Sequence, residues 1–321
     1  MASNLETLVT VFGGSGFLGR NVVRALCRRD YRIRVAVRRP ELAGYLQPSG
    51  KVGQVHTVQA NLRYPASVEA ALRDSHVVIN LVGILTEGGA QSFDAVQAKG
   101  AETVARAAAA AGSRLVHVSA IGADAESPSR YARAKAAGEA AVLAAVPSAT
   151  IVRPSVMFGP EDQFTNRFAA LARMSPVLPL IGGSTRMQPV YVGDVATAIA
   201  DAVDGKAKAG ATYELGGPEV LTMREIIEAI VEIADRKPML VPLPFGLARF
   251  KANFLQFAPG ALKLTPDQVT LLARDNVVSD AAKAAGLTLE GLGISADSLE
   301  AIAPQYLWRF RAAGQFQRKS A

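Results

Sequence analysis

The sequence has little of what builds disulfide-linked domains or metal centres. It contains one cysteine, Cys27, among 321 residues, so no intrachain disulfide can form and a reducing compartment is expected. Its three histidines, His56, His76 and His117, fall in or beside predicted strands and lack the spacing of metal ligands. We therefore expect no metal site.

Long uncharged runs are also missing. The longer ones contain about a dozen residues, as at positions 75–86, against roughly 20 needed to span a bilayer. The opening segment MASNLETL has neither a basic nor an apolar region, so no signal peptide is expected. These absences predict a protein that is soluble or bound at a membrane surface.

Positive charge is in excess, and it is distributed unevenly. The net charge is +7; residues 1–235 carry 24 Lys and Arg against 22 Asp and Glu, whereas residues 236–321 carry 11 against 6. No basic run accompanies a recognition motif, so nucleic acid is not expected as a partner. An acidic partner or an anionic membrane surface is expected near the C-terminal end, and a generic basic surface is the alternative.

The most informative stretch is residues 7–19, where a short apolar run is followed by Gly13, Gly16 and Gly19 and then by a helical pattern. A strand, a glycine turn and a helix in this order predict a dinucleotide site. The glycines permit a tight turn close to a pyrophosphate, and the first helical amides face its negative charge. A glycine-rich turn without a ligand is the alternative. The candidate residues are Gly13, Ser15, Gly16, Phe17, Leu18 and Gly19.

Apolar strands alternate with helical patterns over the first 155 residues. The predicted strands are 9–12, 33–37, 55–60, 76–81, 115–119 and 150–153. The predicted helices are 18–29, 67–73, 94–111 and 130–145. This alternation predicts an α/β fold with a doubly wound parallel sheet of the Rossmann type, and a ligand at the carboxyl ends of its strands.

Prolines interrupt the pattern after Pro160, which predicts a smaller irregular C-terminal lobe. The predicted division is a nucleotide-binding domain over 1–160 that also receives segments near 187–203, a smaller lobe over 161–290, and a docking helix with a basic tail over 291–321.

Arginines follow the second predicted strand at Arg38 and Arg39. Proteins that prefer NAD usually carry an acid here for the ribose hydroxyls, and a carboxylate would repel a 2′-phosphate. Guanidinium groups bind a phosphate through charge-assisted hydrogen bonds, and Arg20 lies just after the last loop glycine. The cofactor is therefore predicted to be NADP(H) rather than NAD(H). Solvent-facing charge at a strand end is the alternative.

Further candidate contacts follow the later strands, for the adenine edge, for the ribose and phosphates, and at the end of the fifth strand. They are Asn61, Leu62, Leu81, Val82, Gly83 and Ser119. Tyr131 and Lys135 are spaced as Y-x-x-x-K, which places both on one helix face. The ammonium is expected to lower the pKa of the phenol, as a proton donor in carbonyl reduction requires.

Several segments match one protein family. They include Arg153-Pro154-Ser155, Phe158-Gly159-Pro160 and Tyr191-Val192-Gly193-Asp194, and more distinctively residues 78–84, 129–139, 158–164 and 187–195. With the glycine loop and the Tyr131/Lys135 pair, they resemble the extended and atypical short-chain dehydrogenases/reductases. More narrowly, residues 7 to about 280 resemble the NAD(P)H-binding accessory subunits of respiratory complex I, NADH:ubiquinone oxidoreductase.

This resemblance implies a Rossmann-type sheet that holds NADPH as a structural group without assigned turnover. It implies a place on the peripheral arm near the membrane junction, against complex I core subunits. The composition suggests a bacterial member, peripheral on the cytoplasmic face of the inner membrane. The implied contacts are the loop glycines for the pyrophosphate, Arg20 and Arg38 for the 2′-phosphate, Asn61 and Leu62 for adenine, Tyr131 and Lys135 for the nicotinamide ribose, and Pro154 and Ser155 near the nicotinamide.

The chain departs from active extended members of the superfamily. The position of their catalytic hydroxyl falls near Ile121, Gln97 stands where V-N-x-x-G commonly carries Asn, and Asn61 stands where an Asp is frequent. A Tyr/Lys pair without its serine grips a ribose but stabilises a developing alkoxide poorly, so no catalytic residue is expected. The vestigial candidates are Tyr131, Lys135 and Ser119. The alternatives are an active NADPH-dependent reductase or epimerase that uses Tyr131 and Lys135, and a regulator that senses the NADPH/NADP ratio.

Aromatic residues and bases concentrate in residues 242–264. Such a stretch can lie at a membrane interface or cover a partner, or it can close a substrate cleft. The resemblance favours partner or membrane contact. Apolar residues also recur at helical spacing over 299–310 ahead of the basic tail at Gln317-Arg318-Lys319, which predicts the docking helix.

Three helix starts are predicted after Pro160. Asp194 is expected to be an N-cap. Thr222 is expected to begin a capping box with Glu225. Thr265 is expected to begin a second helix, with Pro266 at the first helical position.

Overall fold

The computed structural model describes residues 4–312, which pack into two units. Unit 1 comprises the described residues of Met1–Pro154 together with Gly193–Leu215 and Ser279–Ser295. Unit 2 comprises Ser155–Val192, Gly216–Val278 and the described residues of Ala296–Ala321. The first break therefore falls after Pro154 rather than near residue 160, and two later segments return to unit 1. The predicted basic tail at 317–319 lies outside the described residues.

The elements are numbered along the chain. The strands are β1 Leu8–Phe12, β2 Arg32–Val37, β3 Val55–Gln59, β4 Val77–Asn80, β5 Arg114–Val118, β6 Thr150–Pro154, β7 Met157–Phe158, β8 Val177–Leu180, β9 Arg186–Met187, β10 Val190–Tyr191, β11 Thr212–Leu215, β12 Leu221–Thr222 and β13 Met239–Pro242. The helices are α1 Phe17–Cys27, α2 Pro65–Leu72, α3 Lys99–Ala110, α4 Arg130–Ala145, α5 Thr165–Met174, α6 Val192–Val203, α7 Met223–Ile233, α8 Phe245–Leu255, α9 Pro266–Leu271, α10 Asp280–Ala284, α11 Leu299–Ile302 and α12 Pro304–Leu307. A long 3₁₀ segment, Pro40–Ser49, follows β2, and a π-helical turn, Asp94–Ala98, precedes α3.

Unit 1 is built on one parallel sheet. Within the described residues its strand order is β11-β6-β5-β4-β1-β2-β3. Val9 of β1 is paired with Ile33 on one side and with Val77 on the other, so the order reverses at β1. The predicted doubly wound sheet is confirmed, with the six predicted strands and four predicted helices in place. The seventh strand, β11, was not predicted.

Burial explains why the central strands could be read from sequence. Every residue of β1 and β4 is buried, because helices cover both faces of a parallel sheet.

Near the β11 edge of the sheet, Arg153 of β6 forms a bidentate ion pair with Glu139 of α4, with contacts of 2.8 and 2.6 Å. Glu214 of β11 lies 3.6 Å from the same guanidinium.

Unit 2 is held by helices and two-stranded pairs around its own core. Thr222 and Glu225 form the predicted capping box of α7. The predicted helix start at Thr265 is confirmed, and Thr265 also forms a capping box with Gln268 of α9. The apolar stripe of α7 is buried with residues of the short C-terminal helices. The buried residues shared in this core include Met223, Ile226, Ile227, Ile230, Leu299, Tyr306 and Leu307.

One predicted helix start is wrong. Helix α6 begins at Val192, directly after β10, so Asp194 is its third residue and not its N-cap. Its carboxylate still lies in the first turn, where negative charge is favourable.

Across residues 4–312, no helix combines the length and apolar character that crossing a membrane would require.

Candidate functional site

The predicted cofactor residues of unit 1 follow the strands of one parallel sheet. The carboxyl ends of parallel strands share one edge, and ligands bind there where the strand order reverses. Gly13 follows β1, Arg38 follows β2, Asn61 lies after β3, Leu81 follows β4, and Ser119 follows β5. The fold therefore brings these five positions to the same edge.

The glycine loop has the geometry that a pyrophosphate requires. Gly13 has φ +77°, in the region that favours glycine. A Cβ atom at Gly19 would lie 2.3 Å from the Gly13 oxygen and 2.6 Å from Gly14 Cα, so only glycine lets α1 pack this close. Gly16 caps α1 without a side-chain hydrogen bond. The first backbone amides of α1 are therefore suited to donate hydrogen bonds to a phosphate.

The end of β2 presents basic side chains. Arg38 and Arg39 are exposed, and within residues 4–312 no hydrogen bond or ion pair engages either guanidinium. Arg20 lies on α1, where its Nη2 donates to the Ser15 oxygen at 3.4 Å. Its Cζ lies 5.4 Å from the ring centroid of Tyr45, a residue that the sequence did not single out. The charge of this edge suits a 2′-phosphate.

A buried polar pair supports the segment after β4. Asn80, 1% exposed, accepts a hydrogen bond from the Val82 amide at 3.2 Å, and its Nδ2 lies 3.2 Å from His117 Nδ1. Since Asn80 Oδ1 already accepts, its amide donates to His117. Burial, reinforced by the charge of Lys135, lowers the pKa of His117 to about 3, so the ring is neutral. The one signal for this pair in the sequence is a polar residue, Asn80, at the end of an apolar strand.

Tyr131 and Lys135 lie one turn apart on α4, as predicted. Ser129 caps the helix by accepting the Ala132 amide at 3.3 Å. Lys135, 5% exposed, donates to the Val118 oxygen at 3.1 Å, and its Nζ lies 6.0 Å from the Tyr131 ring centroid. The α4 ammonium therefore lies at the end of β5, beside the segment after β4.

The predicted lowering of the Tyr131 pKa is wrong. Burial raises the pKa of Tyr131 to about 12, because the charged phenolate loses its hydration when it is buried. Burial also lowers the pKa of Lys135 to about 8, although Glu139 opposes this shift. The pair therefore favours a protonated phenol.

Three buried polar atoms in the described chain have no protein partner: Gln97 Oε1, His117 Nε2 and Ser119 Oγ. The other end of the Gln97 amide donates to the Ile84 oxygen at 2.8 Å. A Cβ atom at Gly83 would lie 3.4 Å from Lys135 Nζ. Buried polar atoms without protein partners usually bind water or a ligand. These atoms, the uncapped helix and the exposed arginines fit a dinucleotide.

The remaining candidates have other local contacts. Asn61 Oδ1 accepts the Arg63 amide at 3.2 Å, so part of its side chain closes a turn. Leu62 is buried. Pro154 ends β6 in unit 1, whereas Ser155 belongs to unit 2, where its hydroxyl donates to Asn276 Oδ1 at 2.6 Å.

Comparison with known proteins agrees with this geometry. Residues 9–216 match the model of the NAD dependent epimerase/dehydratase family. The chain is 38% identical over 320 residues to mitochondrial NADH dehydrogenase (ubiquinone) 1 alpha subcomplex subunit 9 of Arabidopsis thaliana, covering 96% of this chain and 79% of that protein. It is 35% identical over 251 residues to the ceramide reductase of Caulobacter vibrioides, covering 76% of each.

Solved structures show the same fold. The NADPH-dependent quinone oxidoreductase of Escherichia coli, complexed with NADPH, superposes with a TM-score of 0.72 at 20% identity, covering 91% of this chain and 97% of that one. The chain therefore belongs to the NAD dependent epimerase/dehydratase family and, within it, to the family of the alpha subcomplex subunit 9 of NADH dehydrogenase (ubiquinone).

Proposed function

We propose that this chain is a non-catalytic accessory subunit of respiratory complex I, which holds NADPH in unit 1 and stabilises the peripheral arm near the membrane junction. The observation that carries this proposal is the similarity, over 96% of the chain, to a protein named as a subunit of NADH dehydrogenase. NADPH then acts as a folding ligand, since a group that binds only the folded state stabilises it by mass action.

The selection of NADPH over NADH rests on charge at the end of β2. Arg38 and Arg39 are exposed, and Arg20 lies beside the glycine loop. Bound NADPH would supply a hydride in active members of the superfamily. In this chain, the loop amides would hold its pyrophosphate, the arginines its 2′-phosphate, and Tyr131 and Lys135 its nicotinamide ribose.

The site supports binding better than turnover. The position at which active extended members carry a hydroxyl falls near Ile121, and Ser119 Oγ is buried. Tyr131, with its pKa raised to about 12, stays protonated and suits a hydrogen bond to a ribose hydroxyl.

The surface of α8 and of the residues directly after it supports contact with an anionic membrane at the junction. Phe250, Phe254 and Phe257 are 62%, 68% and 83% exposed, which is unusual for phenylalanine. Residues 236–266 carry five basic residues and no acidic one. Exposed aromatic rings among basic side chains suit the headgroup region. In a bacterium, this membrane would be the cytoplasmic face of the inner membrane.

The second candidate is a reductase, favoured by the similarity to a ceramide reductase over 76% of both chains. Under this hypothesis Tyr131 donates the proton, and Lys135 holds the ribose.

Two variants in the native cell distinguish the two hypotheses. Tyr131→Phe removes only the phenolic hydroxyl, whereas Arg38→Asp weakens NADPH binding.

The measurement is the amount of assembled complex I on native gels and its NADH:ubiquinone activity. A structural NADPH predicts that Arg38→Asp lowers both strongly, and that Tyr131→Phe, which removes only one hydrogen bond to the ribose, lowers them much less. A reductase predicts that purified wild-type protein oxidises NADPH with an added carbonyl substrate, that Tyr131→Phe abolishes this turnover, and that complex I assembles normally in both variants.

A further inference from the structure

The structure places an unassigned tyrosine at the edge of the glycine loop. Tyr45 belongs to the 3₁₀ segment Pro40–Ser49, which begins directly after Arg39. Ala43 and Leu46 of this segment are each 1% exposed and anchor it to the core, whereas Tyr45 is 49% exposed. The segment therefore holds the backbone of Tyr45 in place while its side chain stays outside the core.

Tyr45 and Arg20 converge on one loop carbonyl. The Tyr45 hydroxyl donates to the Ser15 oxygen at 2.8 Å, and Arg20 Nη2 donates to the same oxygen at 3.4 Å. The Arg20 guanidinium carbon lies 5.4 Å from the centroid of the Tyr45 ring. One aromatic side chain thus contacts both the loop and the arginine beside it.

The hydrogen bond from Tyr45 fixes the orientation of a loop peptide. The Ser15 carbonyl and the Gly16 amide belong to the same planar peptide unit. The Gly16 amide donates to the Gly13 oxygen at 3.0 Å, so this unit is held on both sides. A loop that is already ordered loses less entropy when a phosphate binds.

The ring face restrains Arg20 in a different way. A guanidinium over an aromatic ring is attracted electrostatically, and the contact reduces the side-chain entropy lost when the guanidinium binds a phosphate. We propose that Tyr45 determines dinucleotide specificity, its hydroxyl ordering the loop for any dinucleotide and its ring positioning Arg20 for the 2′-phosphate. This inference rests on the proposed NADPH binding.

The two roles predict different responses to two substitutions. Tyr45→Phe keeps the ring and removes the hydrogen bond, so NADPH and NADH affinities should fall by a similar factor, roughly two- to tenfold. Tyr45→Leu also removes the ring, so NADPH affinity should fall by roughly a further two- to fivefold, while NADH affinity falls no further.

The test is calorimetric titration of the full chain with NADPH and with NADH. Each substitution is made in the wild type and in Arg20→Ala. In the Arg20→Ala background, Tyr45→Leu should change NADPH and NADH affinities equally, because the arginine that the ring positions is gone. Gln47→Ala, at an exposed position of the same 3₁₀ segment, is the matched control and should leave both affinities unchanged.

The outcomes separate this inference from the proposal beneath it. A wild-type preference for NADPH that Tyr45→Leu reduces, but only when Arg20 is present, supports the assignment. If the wild type prefers NADPH and Tyr45→Leu leaves that preference unchanged, the role of Tyr45 is refuted, and the NADPH proposal still stands. A wild-type protein that does not prefer NADPH would refute the NADPH proposal and this inference with it.

Discussion

Replacing Gly19 by alanine tests the close approach of α1 to the glycine loop. The added Cβ atom would lie 2.3 Å from the Gly13 oxygen and 2.6 Å from two Gly14 backbone atoms, and none of these belongs to a flexible side chain. Ordinary contact needs about 3.4 Å or more, so the helix and the loop must separate by about 1 Å. Overpacking of this kind costs about 1–3 kcal/mol of the free energy of unfolding.

The matched substitution is Gly44→Ala. No atom lies within 4 Å of a Cβ added at Gly44, and its backbone is outside the left-handed region, so Gly44→Ala should be neutral or stabilising by up to about 1 kcal/mol. Both variants are unfolded in urea, with and without saturating NADPH. We expect Gly19→Ala to lose stability and most of the stabilisation by NADPH. A Gly19→Ala protein as stable as wild type, with unchanged NADPH stabilisation, would refute the account of the loop.

Three further outcomes are expected. Arg38→Asp should weaken NADPH binding by roughly tenfold or more and NADH binding far less. The control Arg32→Asp, at the other end of β2, should affect neither. Equal losses of NADPH and NADH affinity in titrations of Arg38→Asp would contradict the 2′-phosphate assignment. Burial lowers the pKa of Lys135 to about 8, so from pH 8 to about 10 the unfolded chain holds a proton that the folded chain lacks, and stability should rise with pH. Urea unfolding of Lys135→Met should lack this rise, and an identical rise would show that another group causes it. The double variant Phe250→Ser, Phe254→Ser should sediment less with anionic vesicles than the wild type, at an unchanged melting temperature. Unchanged vesicle binding would exclude α8 as a membrane contact.

The parts of the fold that the sequence predicted are those that local pattern determines. The strands β1 and β4 are buried along their whole length, so their apolar runs were visible without any tertiary information. The glycine loop was visible because its backbone demands glycine itself. Strand β11 alternates between buried and half-buried residues over four positions, and such a short edge strand carries too little pattern to be recognised.

The missed features depend on contacts between distant positions. Tyr45 reaches the Ser15 carbonyl across 30 residues of chain, and Asn80 reaches His117 across 37. Neither contact follows from spacing. The pKa of Tyr131 was predicted in the wrong direction because the shift is caused by burial, which spacing along the sequence does not reveal.

The most direct test of the proposed function is mass spectrometry of the native protein after gentle solubilisation of the cell membranes. The measurement identifies the proteins that travel with this chain and the nucleotide released from it. We predict complex I core subunits and NADPH in about one-to-one ratio with the chain. A chain found alone in the soluble fraction, or one within complex I that carries no dinucleotide, would contradict the account.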